Sequence, residues 1–508
     1  MPYVLAQYTI RSKQEYIFRS NRITEIIGAS DNITNSWDIL FDQADKVFGQ
    51  SGTAGKKTQR IADQTEFHMS ETEKAFKEQA LHMVELFRGG GNDTVLFDSR
   101  DNFEKVNKAF SRYLLEHYPG MIPMAVCCSY TGDYQHDYAC LMQEADREKN
   151  CMISGQNDFI LPFSMMDRNT FQPYSRVIYY KDSPVRLTDE AYSKRIPGQE
   201  ISRKDQDVKI LDNMVTEKGQ ESLLAVVHAD GNNMGIKIAE MLKGKTDYDT
   251  CISEMRKFTA DTAKAFGEQG LEAMEACRVR LKEKYADKYN DTAFLFRKII
   301  TDGDDMTFVC NARFAREFVQ AYLDSVQSYQ IRNQSEWAYS SCAGICIFHS
   351  HYPFSRAYAM AEQACDNAKE KVHGKRESSV EEGWMDFHYI HNGIGGELSS
   401  IRERQGTDTC MARPWLIAGG DSKDSRKYDR LTELHDLFSR YGVSRSDIKT
   451  IGSEYENSLH CGRQELIRIY GHHEGLQKET EAVYPEEEQL LKVLYDMSEV
   501  YDLWFKEG

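Results

Sequence analysis

Two short strings place acidic residues at the ends of apolar segments. HADGNNMG (228–235) carries Asp230 directly after an apolar run, and ITDGDDMTF (300–308) carries Asp304 and Asp305 at the tip of another. If the two segments are neighbouring strands, the three carboxylates meet at one edge of a sheet. Carboxylates at such short range repel one another unless cations lie between them. The strings therefore predict a metal site with Asp230, Asp304 and Asp305 as ligands and catalytic residues.

The chemistry expected of such a site is phosphoryl transfer assisted by two divalent cations. Two ions about 4 Å apart stabilise both the attacking and the leaving oxygen of an in-line displacement. Mg²⁺ binds through a few carboxylates together with phosphate oxygens of the substrate, which suits so small a set of ligands. We therefore expect Mg²⁺ or Mn²⁺ as the cofactor and ATP or another nucleoside triphosphate as the substrate.

The residues that follow the first aspartate have the composition of a phosphate-binding loop. Its two glycines let the backbone approach a ligand closely, and its two asparagines tolerate left-handed backbone and donate hydrogen bonds. The loop leads into a predicted helix, whose first N–H groups favour an anion. The loop residues predicted to bind nucleotide are Gly231, Asn232, Asn233, Met234 and Gly235.

Further residues complete the predicted nucleotide site. Asp302 and Gly303 begin the turn of the second string and are expected beside the nucleotide. The distal phosphates still need a cation, for which Lys369 is the first candidate and Lys371 the second. Taken singly, these features also fit ordinary structure, because Asp-Gly is favoured in hairpin turns and a lysine at a helix end is usually solvated. The prediction depends on their occurring together in one fold.

An internal repeat indicates which fold would bring the strings together. Each half opens with an apolar strand (3–10 and 223–230), followed by helical sequence and a strand–turn–strand signal (88–99 and 299–310). A helix, a β-rich segment and a last helix follow in both halves. This order is typical of a ferredoxin-like sheet with helices on one face. We predict an α+β fold with two ferredoxin-like (βαββαβ) domains in tandem plus a helical C-terminal domain.

The repeat also sets the predicted domain boundaries. Polar sequence separates the two halves, and apolar residues at helical spacing fill the last part of the chain. The predicted segments are 1–180 for the first domain, 181–220 for a linker, 221–395 for the second domain and 396–508 for the helical C-terminal domain.

The first half lacks the acidic residues of the second. Its opening strand has no carboxylate where Asp230 falls, and its hairpin reads GGND, with Asn92 expected in place of Asp304. The remaining carboxylate, Asp93, cannot hold a pair of metal ions alone. We therefore predict a degenerate site in the first domain and a catalytic site in the second.

Bulk composition narrows the classes of function. The net charge of −17 over 508 residues argues against a protein that mainly wraps nucleic acid by counterion release. Twelve cysteines include no Cys-x-x-Cys pair, so a structural zinc site is not expected. The first residues do not read as a signal peptide, and no apolar run approaches the roughly 18 residues of a membrane span. A cytoplasmic protein without a membrane partner is expected.

The motifs resemble those of one known family. The DGNNMG loop, a GGDD-type hairpin in the second half only and the later AGICIF…AEQACDNAKE resemble the large, polymerase-like subunit of type III CRISPR complexes. That family is related to GGDEF diguanylate cyclases. The resemblance covers about residues 1–395 and implies that the two ferredoxin-like domains are paired palm domains.

The resemblance also implies an activity. Members synthesise cyclic oligoadenylate from ATP in a metal-dependent reaction, and the product is a second messenger in antiviral defence. A ribose 3′-hydroxyl attacks the α-phosphate of another nucleotide, and pyrophosphate leaves. Carried over, Asp230 and Asp304 would bind metal, Asp305 would assist or bind metal, and residues 231–235 would hold phosphates.

Several departures from the family leave alternatives open. Asp302 replaces the first glycine of the Gly-Gly turn, so the nucleotide and the product are undetermined. The HD nuclease domain and the zinc-binding cysteines of many relatives are expected to be absent, as in a short member. One alternative is a non-catalytic scaffold that binds guide or target RNA and other CRISPR subunits. Another is an enzyme that makes a cyclic dinucleotide or a nucleotide conjugate, and a homo-oligomer is compatible with either.

Overall fold

The chain folds into two compact units. The computed structural model describes residues 3–20, 22–49, 56–64, 66–151, 163–167, 170–180, 183–204, 214, 222–373, 381–391, 396–420 and 424–505. One unit comprises Met1–Lys209 with Asn233–Lys264, and the other comprises Ile210–Asn232 with Ala265–Gly508. No helix in the described ranges has the length and apolar character needed to cross a membrane.

The first unit is built on a five-stranded sheet. Its strands are β1 (Val4–Arg11), β2 (Thr58–Gln59), β3 (Met83–Gly89), β4 (Asn92–Phe97) and β5 (Ile122–Ser129), in the order β2-β3-β4-β1-β5. The four longer strands pair antiparallel, and short β2 pairs parallel with β3. The order β3-β4-β1-β5 is that of a ferredoxin-like sheet, in which two split βαβ units interlock.

Helices cover this sheet and extend the unit. They are α1 (Lys13–Phe18), α2 (Ile23–Gly49), α3 (Met69–Lys77), α4 (Arg100–His117), α5 (Tyr134–Cys151), α6 (Asp189–Lys204), α7 (Met234–Met241) and α8 (Tyr248–Thr262). Strands β6 (Arg176–Tyr180) and β7 (Ser183–Leu187) form a separate hairpin. Alternate apolar residues of the strands, such as Leu5, Val84 and Leu96, are buried in one core with Ile252 and Met255 of α8.

The segment that we predicted as a linker, 181–220, contains β7 and α6. Helix α6 packs against α2, and its charged residues are buried there: Arg195 pairs with Glu25 at 2.8 Å, and Lys194 pairs with Glu190 at 2.5 Å. Buried charges are tolerated when they are paired in this way. Residues 189–197 are therefore packed structure, whereas 205–213 and 215–221 lie outside the described residues.

The second unit contains a six-stranded sheet. Its strands are β8 (Leu223–Gly231), β9 (Phe296–Asp302), β10 (Asp305–Asn311), β11 (Ser341–His349), β12 (Glu382–Tyr389) and β13 (Trp415–Gly419), in the order β13-β12-β11-β8-β10-β9. The four strands β11-β8-β10-β9 repeat the ferredoxin-like order of the first unit, with antiparallel neighbours. Two such sheets in one chain confirm the predicted α+β fold.

The C-terminal part of the second unit is mainly helical, as predicted. The unit's helices are α9 (Gly270–Tyr285), α10 (Ala315–Asn333), α11 (Phe354–His373), α12 (Leu398–Gln405), α13 (Tyr428–Arg440), α14 (Arg445–Asn457), α15 (Leu459–His472), α16 (Leu476–Val483) and α17 (Glu487–Val500). The sequence analysis missed β13, which pairs with β12 and buries Trp415 and Leu416 completely. The predicted C-terminal segment therefore contributes a strand to the second sheet.

Helix α11 lies unusually close to β11 because of one glycine. A Cβ atom built on Gly344 would lie 1.9 Å from the carbonyl oxygen of Ala361 and 2.3 Å from the nitrogen of Cys365. No real side chain tolerates such contacts with backbone atoms, so the position requires glycine. The close approach carries the later part of α11, including Lys369, to the end of β8.

Candidate active site

Asp230 and Asp305 end neighbouring strands at the same edge of the second sheet. The register of β8 and β10 pairs Ala229 with Met306, and extending it by one residue sets Asp230 opposite Asp305. Directly opposite residues of an antiparallel pair point to the same face. Ligand atoms of the two carboxyl groups lie within 4.8 Å of each other, as expected for strands that meet at this edge.

Asp304 joins them from the tip of the hairpin. Asp302 pairs with Asp305 and closes a two-residue turn, in which Gly303 adopts a left-handed φ of 62°. A Cβ atom on Gly231 would lie 2.8 Å from both Cβ and Oδ2 of Asp304. Gly231 therefore leaves room for the Asp304 side chain. Asp304 lies at the same edge as Asp230 and Asp305, but outside the 4.8 Å cluster that those two residues form with His228.

The electrostatics around these carboxylates favour a cation. Burial and the neighbouring Asp230 raise the pKa of Asp304 to about 6. Burial, with Asp230 and Asp304 as neighbours, raises the pKa of Asp305 to about 8. Burial is the larger cause of both shifts, and the negative charge of the neighbouring carboxylates adds to it. Close carboxylates without enough positive charge around them have the composition of a site for divalent cations.

Lys369 of α11 lies beside the same carboxylates. Its Nζ forms an ion pair with Oδ2 of Asp230 and donates a hydrogen bond of 3.1 Å to the carbonyl of Gly231. The lysine predicted for the distal phosphates thus lies in the site, where it partly neutralises the carboxylates. Lys371 follows two residues later, so it projects about 200° around the helix axis from Lys369.

Comparison with known proteins agrees with this arrangement. Residues 223–379 match the family described as Cas10/Cmr2, second palm domain. This segment, most of which lies in the second unit, is a Cas10-like palm. No curated protein matches the chain.

The solved structures that match the chain are distant in sequence. The Csm1–Csm4 cassette in complex with cA4 is 10% identical with a TM-score of 0.47, over 98% of this chain and 69% of that chain. Csm1 from T. onnurineus is 11% identical with a TM-score of 0.48, over 98% of this chain and 69% of that chain. The Csm1–Csm4 cassette in complex with AMPPNP is 11% identical with a TM-score of 0.44, over 98% and 70% of the two chains.

Asn232 of the Cas10-like palm has a different role from the one we predicted. Its side chain is only 2% exposed. The amide nitrogen donates to Oγ of Ser340 and to the carbonyl of Glu382, both at 2.9 Å, and the backbone N–H donates to the carbonyl of Ser340 at 2.9 Å. A buried amide with these partners has no donor left for a phosphate. Asn232 therefore anchors the end of β8 to β11 and β12.

The rest of the predicted phosphate loop belongs to the other unit. Asn233 has the expected left-handed backbone, with a φ of 57°, and precedes α7, which begins at Met234. Gly235 has open space where a side chain would lie. These three residues fall in the first unit, whereas the carboxylates fall in the second. Their contacts with phosphate stay a prediction.

His228 is a site residue that the sequence analysis missed. Ligand atoms of His228, Asp230 and Asp305 all lie within 4.8 Å of one another. The Nδ1 atom of His228 lies 3.1 Å from Oγ1 of Thr307, and its ring contacts the edge of Tyr358 at 5.7 Å. Burial lowers the pKa of His228 to about 4, so the imidazole is neutral. The available signal was alternation: residues 228 and 230 of one strand share a face.

The first unit carries a hairpin with a two-residue turn at the matching place, without the acidic residues of the second. Gly89 pairs with Asn92 around the turn Gly90–Gly91, as Asp302 pairs with Asp305 around Gly303–Asp304 in the Cas10-like palm. Asn92 thus occupies the position of Asp305, and our alignment of Asn92 with Asp304 was wrong by one residue. The error arose because the acidic residues of the two hairpins were aligned with each other, whereas the two turns should have been aligned.

The same register accounts for the other positions of this hairpin. Asn92 lies opposite Thr9, which therefore stands where Asp230 stands in the second unit. Asp93 lies opposite Tyr8 and is completely buried, 3.5 Å from Arg88. Neither Thr9 nor Asn92 carries a negative charge, so this hairpin lacks the ligands of a metal pair.

Proposed function

We propose that the chain is a metal-dependent nucleotidyltransferase that makes a cyclic oligoadenylate-type second messenger from ATP in type III CRISPR antiviral defence. The supporting observation is the convergence of Asp230, Asp304 and Asp305 on one edge of a Cas10-like palm sheet. A scaffold has no need of three close carboxylates, whose repulsion is unfavourable without a cation. In this proposal the second palm is catalytic and the first is degenerate.

The residues of the second unit would hold the cations directly. Asp230, Asp304 and Asp305 supply the carboxylates, and His228 offers a neutral imidazole beside two of them. Bound Mg²⁺ or Mn²⁺ supplies charge neutralisation for the phosphates in the transition state. Gly231 leaves room for the Asp304 side chain. Asn232 holds the end of β8 in place through its hydrogen bonds to Ser340 and Glu382.

The proposed reaction forms one phosphodiester bond for each nucleotide joined. The ribose 3′-oxygen of one nucleotide bonds to the α-phosphorus of another, the bond between that phosphorus and the bridging oxygen breaks, and pyrophosphate leaves. The 3′-hydroxyl loses its proton to water in the same step. Lys369, which now pairs with Asp230, is proposed to contact the triphosphate in place of that carboxylate.

The proposal extends to partners. We propose that the chain binds other type III CRISPR subunits and guide or target RNA, which would control when synthesis begins. The substitution of Asp302 for the first glycine of the turn places a carboxylate beside the nucleotide, so products across all four nucleotides must be compared.

The test is a product assay on the purified chain. We expect ATP with Mg²⁺ or Mn²⁺ to yield pyrophosphate and a phosphodiester product, identified by mass spectrometry, in the presence of target RNA if the chain alone is silent. Asp304→Ala should reduce the rate by at least about a hundredfold, since it removes charge that acts directly at the transition state. Asp429→Ala, at an exposed carboxylate of the same unit, is the matched control.

One result would replace this proposal with the scaffold alternative. Wild type and Asp304→Ala would then bind RNA with equal affinity, and neither would release pyrophosphate from any nucleotide with any activator tried.

A further inference from the structure

Asp302 lies in a cross-strand row with two carboxylates of the candidate active site. The register of β9 and β10 pairs Asp302 with Asp305, and Asp305 lies opposite Asp230 when the register of β10 and β8 is extended by one residue. Directly opposite residues of antiparallel strands point to the same face. Three neighbouring strands therefore present Asp302, Asp305 and Asp230 side by side, and we call these three residues the aspartate row.

The adjacent row of the sheet shows which face this is. Thr307 pairs with Ile300 on one side and with His228 on the other, and Nδ1 of His228 lies 3.1 Å from Oγ1 of Thr307. Alternate residues of a strand share a face. The shift in the register of β9 and β10 comes after Thr307, so Asp302 belongs to the face that carries His228.

Asp304 approaches the aspartate row from a different direction. Its Cβ and Oδ2 atoms lie 2.8 Å from the position that a Cβ atom on Gly231 would take. Gly231 follows Asp230 in β8, so its position faces the other side of the sheet. The carboxylate beside Asp305 on the flank away from β8 is therefore that of Asp302.

The aspartate row offers two positions for a cation. The first lies between Asp230 and Asp305, where His228 also contributes, since ligand atoms of these three residues lie within 4.8 Å of one another. The second lies between Asp305 and Asp302, at β9, the last strand in the order of this sheet. Neighbouring strands lie about 4.8 Å apart, which is close to the separation of about 3.5–4 Å between the ions of two-ion phosphoryl-transfer sites.

The charges around the row support a cation at the second position. Asp302 is half-buried. After burial and Asp230, its negative charge adds to the causes that raise the pKa of Asp304 and of Asp305. Lys369 pairs with Asp230, at the opposite end of the row from Asp302. A divalent cation between Asp305 and Asp302 would relieve the repulsion between those two carboxylates.

We infer that Asp302 is a metal ligand, which shares a second divalent cation with Asp305, while Asp230, Asp305 and His228 hold the first. The inference rests on the proposed metal site and adds a ligand to it. The turn of the family that the sequence resembles begins with glycine at this position, so the ligand is a feature of this chain's own sequence. Asp302 thereby acts on the metal and not on the nucleotide base.

The test measures binding of Mn²⁺ to the full chain without nucleotide. Electron paramagnetic resonance gives the free Mn²⁺ and hence the number of bound ions and their affinities. We expect two ions in the wild type, with a bound spectrum broadened because the ions are close. Asp302→Asn should weaken the second ion at least about tenfold and remove the broadening, while the first ion binds as before. His228→Ala should weaken the first ion instead.

Two controls separate ligation from charge. Asp429→Asn removes an exposed carboxylate of the same unit and should change neither affinity. Asp302→Cys tests contact with the metal directly, because a thiolate is itself a metal ligand. Co²⁺ bound to a thiolate absorbs in the near ultraviolet, so this variant should show an absorption that Asp302→Ser lacks. A residue that acts only through its charge would not produce it.

The outcomes distinguish failure of this inference from failure of the proposed function. If the wild type binds two Mn²⁺ ions and Asp302→Asn binds them equally well, Asp302 is not a ligand, and the proposed function stands. Equal weakening of both ions in Asp302→Asn, without thiolate absorption in Asp302→Cys, would also overturn the inference, because it indicates an effect of charge or folding. If the wild type binds no Mn²⁺, the proposed metal site fails and the inference fails with it.

Discussion

Lys369 on α11 forms an ion pair with Asp230 at the end of β8, and the same lysine donates to the carbonyl of Gly231. The two residues are 139 positions apart in the sequence. Their contact depends on Gly344, which lets α11 lie against the sheet. The lysine supplies part of the positive charge that the three carboxylates require.

Replacing Lys369 should change the affinity for metal and the affinity for nucleotide in opposite directions. In Lys369→Met, a positive charge that competes for Asp230 is lost, so we expect Mn²⁺ to bind several-fold more tightly. ATP should bind more weakly in the same variant, because the proposed contact with its phosphates is gone. Calorimetric titration measures both. Lys371→Met is the control, and weaker Mn²⁺ binding in Lys369→Met would contradict the electrostatic argument.

Gly344→Ala should destabilise the second unit and displace Lys369. The added methyl group meets backbone atoms of α11 at 1.9 and 2.3 Å, so the helix must move as a whole. Overpacking of this kind costs about 1–3 kcal/mol or more, which urea unfolding measures. Gly267→Ala is the control, because its Cβ atom would lie 3.6 Å from Cγ2 of Thr301, an ordinary contact. Equal stability of the two variants would show that α11 moves without cost.

His228→Ala tests whether the imidazole contributes to metal binding. We expect Mn²⁺ affinity to fall about tenfold. This is the lower end of the losses of about 10–100-fold that follow removal of a residue supporting a metal site. Electron paramagnetic resonance of free Mn²⁺ gives the affinity. His388, which is also buried in a strand of the same sheet and 7% exposed, provides the matched variant His388→Ala. The same loss in both variants would indicate a general structural effect.

Metal should stabilise the fold through the same carboxylates. We expect saturating Mg²⁺, at about 100 times its Kd, to add about 2.7 kcal/mol to the free energy of unfolding. Asp305→Asn should remove this gain and should be more stable than wild type in EDTA, because burial and Asp230 disfavour its charge. Thermal melts with and without Mg²⁺ report both effects. A less stable Asp305→Asn in EDTA would show that the carboxylate is already well paired.

Local patterns in the sequence were sufficient for several features of the site. Strand ends and the two-residue turn at Gly303 follow from short-range chemistry, and the repeated order of elements indicates which strands are neighbours. These rules alone bring Asp230, Asp304 and Asp305 to the same edge of the sheet. The alternation that puts His228 on the face of Asp230 was equally local, and the sequence analysis overlooked it.

Only the tertiary structure showed which residues from distant segments of the chain contact one another. The ion pair of Lys369, the burial of Asn232 against Ser340, the packing of α6 on α2 and the addition of β13 to the second sheet all join residues far apart in sequence. Such contacts depend on how closely helices and strands pack, which composition and periodicity do not specify. The sequence by itself therefore determined which carboxylates meet, and the packed fold determined which neighbouring groups balance their charge.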